Sequence, residues 1–263
     1  MHGAQEGNNR RPTLEVRGLA KRFGNVAALR SASLSVDRGQ VVALVGDNGA
    51  GKSTLVKTVA GVHQPDNGSI WLEGRLILFR NPREALDAGV EVVYQDLSLA
   101  PDLNVWSNIF LNREERSSGV GRWIGWMDKN LMRERSVSLL NDLEIEVPDV
   151  EAPVMALSGG QRQAVAVARG VAWGRRLLIM DEPTNNLGVV EQSHVLGLVK
   201  MLRQQGLAIL LVSHNLAHVF EVADRVVVLR NGRTIADANM ADVTPDRVVA
   251  WITGSGSTTE FEP

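Results

Sequence analysis

Three runs in the second half of the chain, "RRLLIM", "LAILLVS" and "RVVVLR", are apolar at nearly every position. Such runs predict strands buried on both faces of a sheet. They are separated by stretches with helical spacing, "VVEQSHVLGLVKMLRQQG" and "NLAHVFEVA". "GVEVVYQ" reads as a further buried strand, while "LEVRGL" and "VAALRSASLSVDRGQVVALVG" hold short alternating strands. A helix is predicted from Gly51 to about Ala60, followed by short strands in "GSIWLEG" and "RLILF". Asn81 and Pro82 form a cap and first-turn pair that starts another helix. From Asp96 to Leu157 the pattern turns helical, with Asp128 capping "MDKNLMRERSVSLLNDLEI". "RNGR" at 230–233 predicts a tight hairpin whose antiparallel strand closes the sheet, and "TPDRVVAWITG" a last capped helix.

The alternation predicts an α/β fold around a mostly parallel sheet, with an antiparallel element and residues 96–157 as an inserted helical subdomain. Residues 1–12 and 254–263 are expected to be a flexible lead-in and tail. No linker or repeat interrupts the span between them.

Composition narrows the picture only slightly. The net charge of −2 gives no global reason to expect a nucleic-acid partner. Short basic clusters such as "MRERS" read as solvated faces. The chain has no cysteine, which excludes disulfides and thiolate metal sites. The first residues lack the apolar core of a signal peptide. No apolar run reaches the ~20 residues that a spanning helix needs. Work at a membrane would therefore require other chains to span it.

The chemistry concentrates at strand ends. "GDNGAGKST", residues 46–54, carries three glycines, two of which stand with a lysine and a hydroxyl residue at the spacing of a phosphate-binding loop. Gly46, Gly49 and Gly51 let successive backbone N–H groups of Asp47, Asn48, Ala50 and their neighbours face phosphate oxygens. The helix carrying Thr54 adds its positive end. Lys52 is expected to reach the β- and γ-phosphates, and Ser53 to ligate Mg²⁺. A chance glycine-rich turn is the bland alternative, and a random match arises about once in a hundred chains of this length.

"LLIMDEP" places two carboxylates at the end of an apolar strand. Asp181 is the expected anchor of Mg²⁺, and Glu182 the candidate general base toward an attacking water. Gln95 ends a strand at "YQD", within reach of metal or water, and His214 ends another at "LVSHN". A lone histidine there is more often a turn residue, but in a parallel sheet all these ends converge on one side.

"LSGGQ" has two readings. Ser158 and Gln161 have the spacing of a capping box and start a helix. Gly159 and Gly160 between them are poor helix formers, and bare N–H groups offered to an anion would explain both. The chain thus carries two backbone cradles, one more than a single nucleotide needs.

Taken in order, "GDNGAGKST", Gln95, "LSGGQRQ", "LLIMDEP" and His214 resemble the ATP-binding cassette superfamily over roughly residues 13–240. The resemblance implies a P-loop nucleotide-binding domain over 13–253 that binds and hydrolyses ATP with Mg²⁺. It also implies that Phe23 in "KRFG" is the platform under adenine, and that Gln95 and the following segment sense a membrane partner. It further implies that the 158–161 cradle covers the γ-phosphate held by a second copy, with two ATP molecules sandwiched per dimer. "VYQDLSLAPDLNVWSNIFLNRE" and "SHNLAHVFEVADRV" are similar to ATPases of simple-sugar importers of the ribose, fructose and xylose type. Many of those carry two cassettes per chain, and this sequence holds one. Expected partners are therefore a second copy, membrane permease subunits and a separate sugar-binding protein, at the cytoplasmic face of the cell membrane. One departure stands out: the superfamily usually has S-A-L-D after the glutamate, where this chain has "NNLG", with Gly188 in place of the aspartate. An exporter ATPase, a soluble cassette protein acting on ribosomes or DNA, and a non-hydrolysing regulator are the competing readings. Glu182 and His214 together speak against the last.

Overall fold

The computed structural model describes residues 11–116 and 126–255. Their strands are β1 (Leu14–Phe23), β2 (Val26–Val36), β3 (Val41–Val45), β4 (Asn67–Leu72) and β5 (Arg75–Ile77), then β6 (Val90–Val93), β7 (Leu177–Asp181), β8 (Ala208–Val212), β9 (Arg225–Arg230) and β10 (Arg233–Asn239). The helices are α1 (Lys52–Val59), α2 (Pro82–Asp87), α3 (Val105–Ile109), α4 (Lys129–Asp142), α5 (Gly159–Trp173), α6 (Val189–Gln204), α7 (Leu216–Val222) and α8 (Pro245–Thr253).

All ten strands form one sheet in the order β5-β4-β1-β2-β10-β9-β3-β8-β7-β6. From β9 to β6 every pairing is parallel. Every residue of β3 and β8 is buried, as expected where helices cover both faces. Side-chain alternation then sorts the sheet between layers. Val42, Leu44, Ile179 and Leu210 face α1 and the antiparallel strands. Val41, Leu178, Met180, Ile209 and Leu211 face the layer of α3, α4, α5 and α6. Val226 and Val228 pack on α7 and α8.

The hairpin at 230–233 forms, but its strand does not close the sheet. β10 pairs antiparallel with β9 and meets β2 through one parallel bridge, Arg233 to Ser31. It therefore joins the antiparallel β1, β2, β4 and β5 to the parallel half. Thr234 cements the seam, its hydroxyl donating to Ser33 O at 2.7 Å and accepting from Ser33 N at 2.9 Å.

Between 96 and 157 only α3, α4 and a short 3₁₀ turn at Val154–Ala156 are helical among the described residues. Irregular backbone there is held by Asn108, fully buried, whose amide bonds Ala100, Leu103 and Asn104. Such a residue satisfies several orphan backbone groups at once. The basic cluster on α4 sits in exposed ion pairs, Arg133 with Glu151 and Arg135 with Glu115. Asn81 and Asp128 cap α2 and α4 through their side chains. At α8 the expected caps are one-sided. Thr244 makes no side-chain cap bond, whereas Gly254 closes the C-terminus at φ 79°. The expected flexible ends fall largely on residues 1–10 and 256–263, outside the described residues.

Candidate functional site

The loop from Gly46 to Gly51 leaves β3 and enters α1. Its glycines divide by environment. Gly51 has φ 107°, and a Cβ there would stand 2.6 Å from Ala28 O of β2. Gly49 has φ 79° and nothing within 4 Å of the place a Cβ would occupy. The loop is thus pressed on the sheet side and open on the other, the shape of a backbone anion cradle. Ser53 is exposed and Thr54 half-buried on the first turn of α1. The Lys52 ammonium donates to Gly46 O at 2.6 Å and Asp47 O at 3.1 Å, folded over the loop. Burial lowers its pKa, opposed by the charges of Glu182, Asp181 and Asp47.

That coupling exists because β7 delivers its acids to the same place. Asp181 pairs with Val212 as the last β7–β8 step, and Glu182 N donates to Val212 O at 2.9 Å. The chain then turns at Glu182 with φ 52°. A non-glycine residue in this left-handed region carries on the order of 1–3 kcal/mol of strain, typical of functional positions. Asp181 has its pKa raised by burial first and by Glu182 second, with Lys52 pulling it down. Two adjacent half-buried carboxylates beside a lysine form a hard-oxygen donor set short of cations.

His214 follows β8, so the parallel register brings it beside Glu182. Its Nδ1 stands 2.9 Å from Glu182 Oε2, and its backbone N–H faces the same oxygen at 3.4 Å. The ring is largely exposed, whereas the Glu182 side chain is only 11% exposed. Gln95 is exposed two residues beyond β6, the neighbour of β7. The segment after it is anchored by Arg169 of α5, which donates to Leu97 O at 3.0 Å and Ser98 O at 2.8 Å.

Phe23 ends β1 opposite Val26, which lies two residues before Ala28, the β2 residue whose carbonyl crowds Gly51. Its ring is 44% exposed, meets His63 edge-on at 5.0 Å, and has Lys21 Nζ 5.7 Å from its centre.

Ser158 and Gln161 form the capping box in full: Gln161 N donates to Ser158 Oγ at 3.2 Å, and Ser158 N to Gln161 Oε1 at 3.0 Å. No hydrogen bond joins Ser158–Gln161 to residues 46–54 among the described residues. Their neighbours are instead Leu187 and Glu191, which lie against Gly159 and Gly160. The loop, both acids and His214 are brought together, whereas the second cradle lies against the 187–191 segment.

Sequence reasoning passed over His218. Asn215 Oδ1 accepts from Ala217 N and His218 N as the cap of α7, which turns its amide toward His218 Nε2 at 3.2 Å. Nε2 must then accept, so Nδ1 carries the proton and donates to Thr184 Oγ1 at 3.0 Å. This chain of bonds ties the turn after Glu182 to the helix after His214. The Asn-x-x-His spacing at a helix start was its only sequence signal.

Comparison with known proteins agrees with this geometry. The family model described as ABC transporter matches residues 29–185. A fructose import ATP-binding protein of Rhizobium meliloti is 46% identical over 246 residues, covering 93% of this chain and 95% of that one. A xylose/arabinose import ATP-binding protein of Sulfolobus acidocaldarius is 45% identical over 236 residues, covering 88% and 92%. A ribose import ATP-binding protein of Streptomyces avermitilis is 41% identical over 243 residues, and there this chain spans 47% of the relative. Among solved structures, the ADP conformation of an ATP-binding cassette of an ABC transporter superposes with a TM-score of 0.79 at 25% identity, over 93% of this chain and 99% of that one. With a phosphate-type loop, a strand-end acid pair and matches over nearly its whole length, this chain belongs to the ABC transporter family.

Proposed function

We propose that this chain binds and hydrolyses ATP to energise import of a simple sugar through membrane permease subunits. The observation that carries the hydrolytic part is the Glu182–His214 contact at 2.9 Å beside Lys52 and Asp181. The sugar assignment rests on relatives named for fructose, xylose/arabinose and ribose import.

In this reading the open face of the 46–51 loop receives the phosphates on backbone N–H groups and on the α1 terminus. The Lys52 ammonium, released from Gly46 O and Asp47 O, turns to the β- and γ-phosphates. Phe23 stacks on the adenine. Ser53, Asp181 and Gln95 would hold Mg²⁺. Their oxygens are the hard donors it prefers, and the raised pKa of Asp181 marks a carboxylate that gains from a nearby cation. Among the described residues no three acids or histidines cluster as a protein cage. That fits an ion held by few protein ligands together with phosphate oxygens. Bound Mg²⁺ supplies charge neutralisation on the phosphates. Glu182 takes a proton from water, the water oxygen bonds to the γ-phosphorus, and the bond from that phosphorus to the β–γ bridging oxygen breaks to give ADP and phosphate. His214 holds the Glu182 carboxylate toward that water from a neighbouring strand.

The second cradle, Ser158–Gln161, serves the nucleotide of a second copy, consistent with its lack of bonds to its own loop. No described helix is long and apolar enough to cross a membrane. From the import relatives, the reading takes a place on the cytoplasmic face through permease subunits, alongside a separate sugar-binding protein, and has residues 96–157 with Gln95 relay the nucleotide state to them.

Reconstitution with the co-purifying permease in vesicles tests the proposal. Uptake of labelled fructose, xylose or ribose should require ATP on this chain's side and vanish with Glu182→Gln. ATP-driven efflux of a lipid or drug, with no sugar uptake, would replace import by export.

A further inference from the structure

Gly160 and Gly188 lie on different elements, and neither backbone calls for glycine. Gly188 is the N-cap of α6 with φ −67° and ψ 165°, extended values open to any residue. Gly160 is the second residue of α5, where glycine is a poor helix former. What the two share is Glu191, the third residue of α6. A Cβ on Gly160 would overlap Cγ of Glu191 and stand 2.9 Å from its Cβ. A Cβ on Gly188 would stand 2.5 Å from the Glu191 carboxylate Oε2. Rotating the carboxylate would relieve the second conflict. It would not relieve the first, because Cβ and Cγ are the root of the side chain.

The stem of Glu191 thus crosses the head of α5, and its carboxylate ends beside the head of α6. The next residue completes the connection. Gln192 Nε2 donates to Leu187 O at 3.0 Å and Thr184 O at 3.4 Å, drawing the segment after Glu182 onto the same first turn of α6. Leu187 itself reaches to 3.9 Å of the place a Gly159 Cβ would occupy. Two adjacent side chains on one rigid turn therefore grip two functional segments: Glu191 the 158–161 cradle, Gln192 the exit of the strand that bears Glu182.

We propose that Glu191 is a positioning residue for hydrolysis. By filling the space cleared at Gly160 and Gly188, it fixes how the 158–161 cradle stands against the segment carrying Glu182. This rests on the hydrolytic reading given above. The role belongs to the shape of the side chain, so a neutral residue of the same length fills it.

The test measures kcat, KM for ATP and thermal midpoint for wild type, Glu191→Ala, Glu191→Gln, Gly160→Ala and the Gly160→Ala/Glu191→Ala pair. Misplacement of a reacting assembly lowers turnover by roughly ten- to hundredfold, and that loss of kcat is expected in Glu191→Ala with KM and midpoint close to wild type. Glu191→Gln should retain most of the wild-type kcat. Gly160→Ala should cost less in the Glu191→Ala background than in wild type, because the overlapping stem has gone. Wild-type kcat in Glu191→Ala, equal loss in Glu191→Gln and Glu191→Ala, or the same cost of Gly160→Ala in both backgrounds would each overturn the proposal. A wild-type chain no faster than Glu182→Gln would instead remove the hydrolytic reading, and this proposal with it.

Discussion

His214 and Glu182 leave adjacent parallel strands, and the imidazole Nδ1 of the first stands 2.9 Å from Oε2 of the second. The arrangement is set by the register, because Asp181 pairs with Val212 and each functional residue follows shortly after its strand's last ladder bond. His214 is mostly exposed, so it contributes little packing and its removal should not unfold the chain.

His214→Ala is accordingly expected to lower kcat by at least ~10², the loss typical when proton-transfer machinery is disarranged. ATP affinity and thermal midpoint should change little. Steady-state hydrolysis and equilibrium nucleotide binding on the same preparation check this.

Phe23→Ala should weaken ATP by roughly 1–3 kcal/mol, the range for base–aromatic stacking. Binding of inorganic triphosphate should hardly change, since it has no base. Phe23 is half-exposed, in a T-shaped contact with His63 and with Lys21 Nζ 5.7 Å from its ring centre. Equal losses for both ligands would make it a packing residue of the β1–β2 hairpin.

Glu91 gives a pH signature away from the nucleotide. Burial pushes its carboxyl up to about 7, overcoming the pull of Arg113 and Arg169. The Arg113 contact at 3.3 Å is too weak to offset that desolvation. The folded pKa lies above the ordinary 4.5, so the associated stability is complete below that value and is lost as pH rises to about 7. Glu91→Gln has no proton to lose. Relative to wild type it should therefore gain on the order of 1–3 kcal/mol between about pH 5 and pH 8. Urea unfolding at several pH values reads this directly, and a constant difference between the two proteins would contradict it.

Much of this site was legible in the sequence, for reasons that particular residues make plain. "GDNGAGKST" and "LLIMDEP" are local patterns, and apolar strands such as β3 and β8 have too little choice of environment to pair otherwise. His214 was legible because strands of one parallel sheet end on one side. The position of β10 was not, because a hairpin turn specifies its two strands and says nothing of what lies beyond them. Glu191 was equally hidden. Its contact with Gly160 joins residues on helices about thirty positions apart, and only their packing shows that the two glycines make room for one side chain. His218 escaped because its meaning depends on which way the Asn215 amide turns.

The two-cradle reading predicts complementation. Lys52→Ala damages the loop and Ser158→Arg the second cradle, so either homodimer should be near background. A mixed dimer would contain one site with both halves intact and should recover measurable hydrolysis. Rates across mixing ratios, with dimers confirmed by light scattering, check this. A flat background rate with mixed dimers present would contradict either the assignment of the cradle to a partner's nucleotide or the ability of one sound site to fire alone.

In the proposed reaction Glu182 is the base that takes a proton from the attacking water. Glu182→Gln keeps the shape of the side chain and its place at φ 52° but cannot accept that proton. The decisive measurement is steady-state phosphate release by this variant beside its ATP dissociation constant. Turnover should fall by ~10²–10⁴ with binding nearly intact; normal turnover in Glu182→Gln would remove this carboxylate from the role of base.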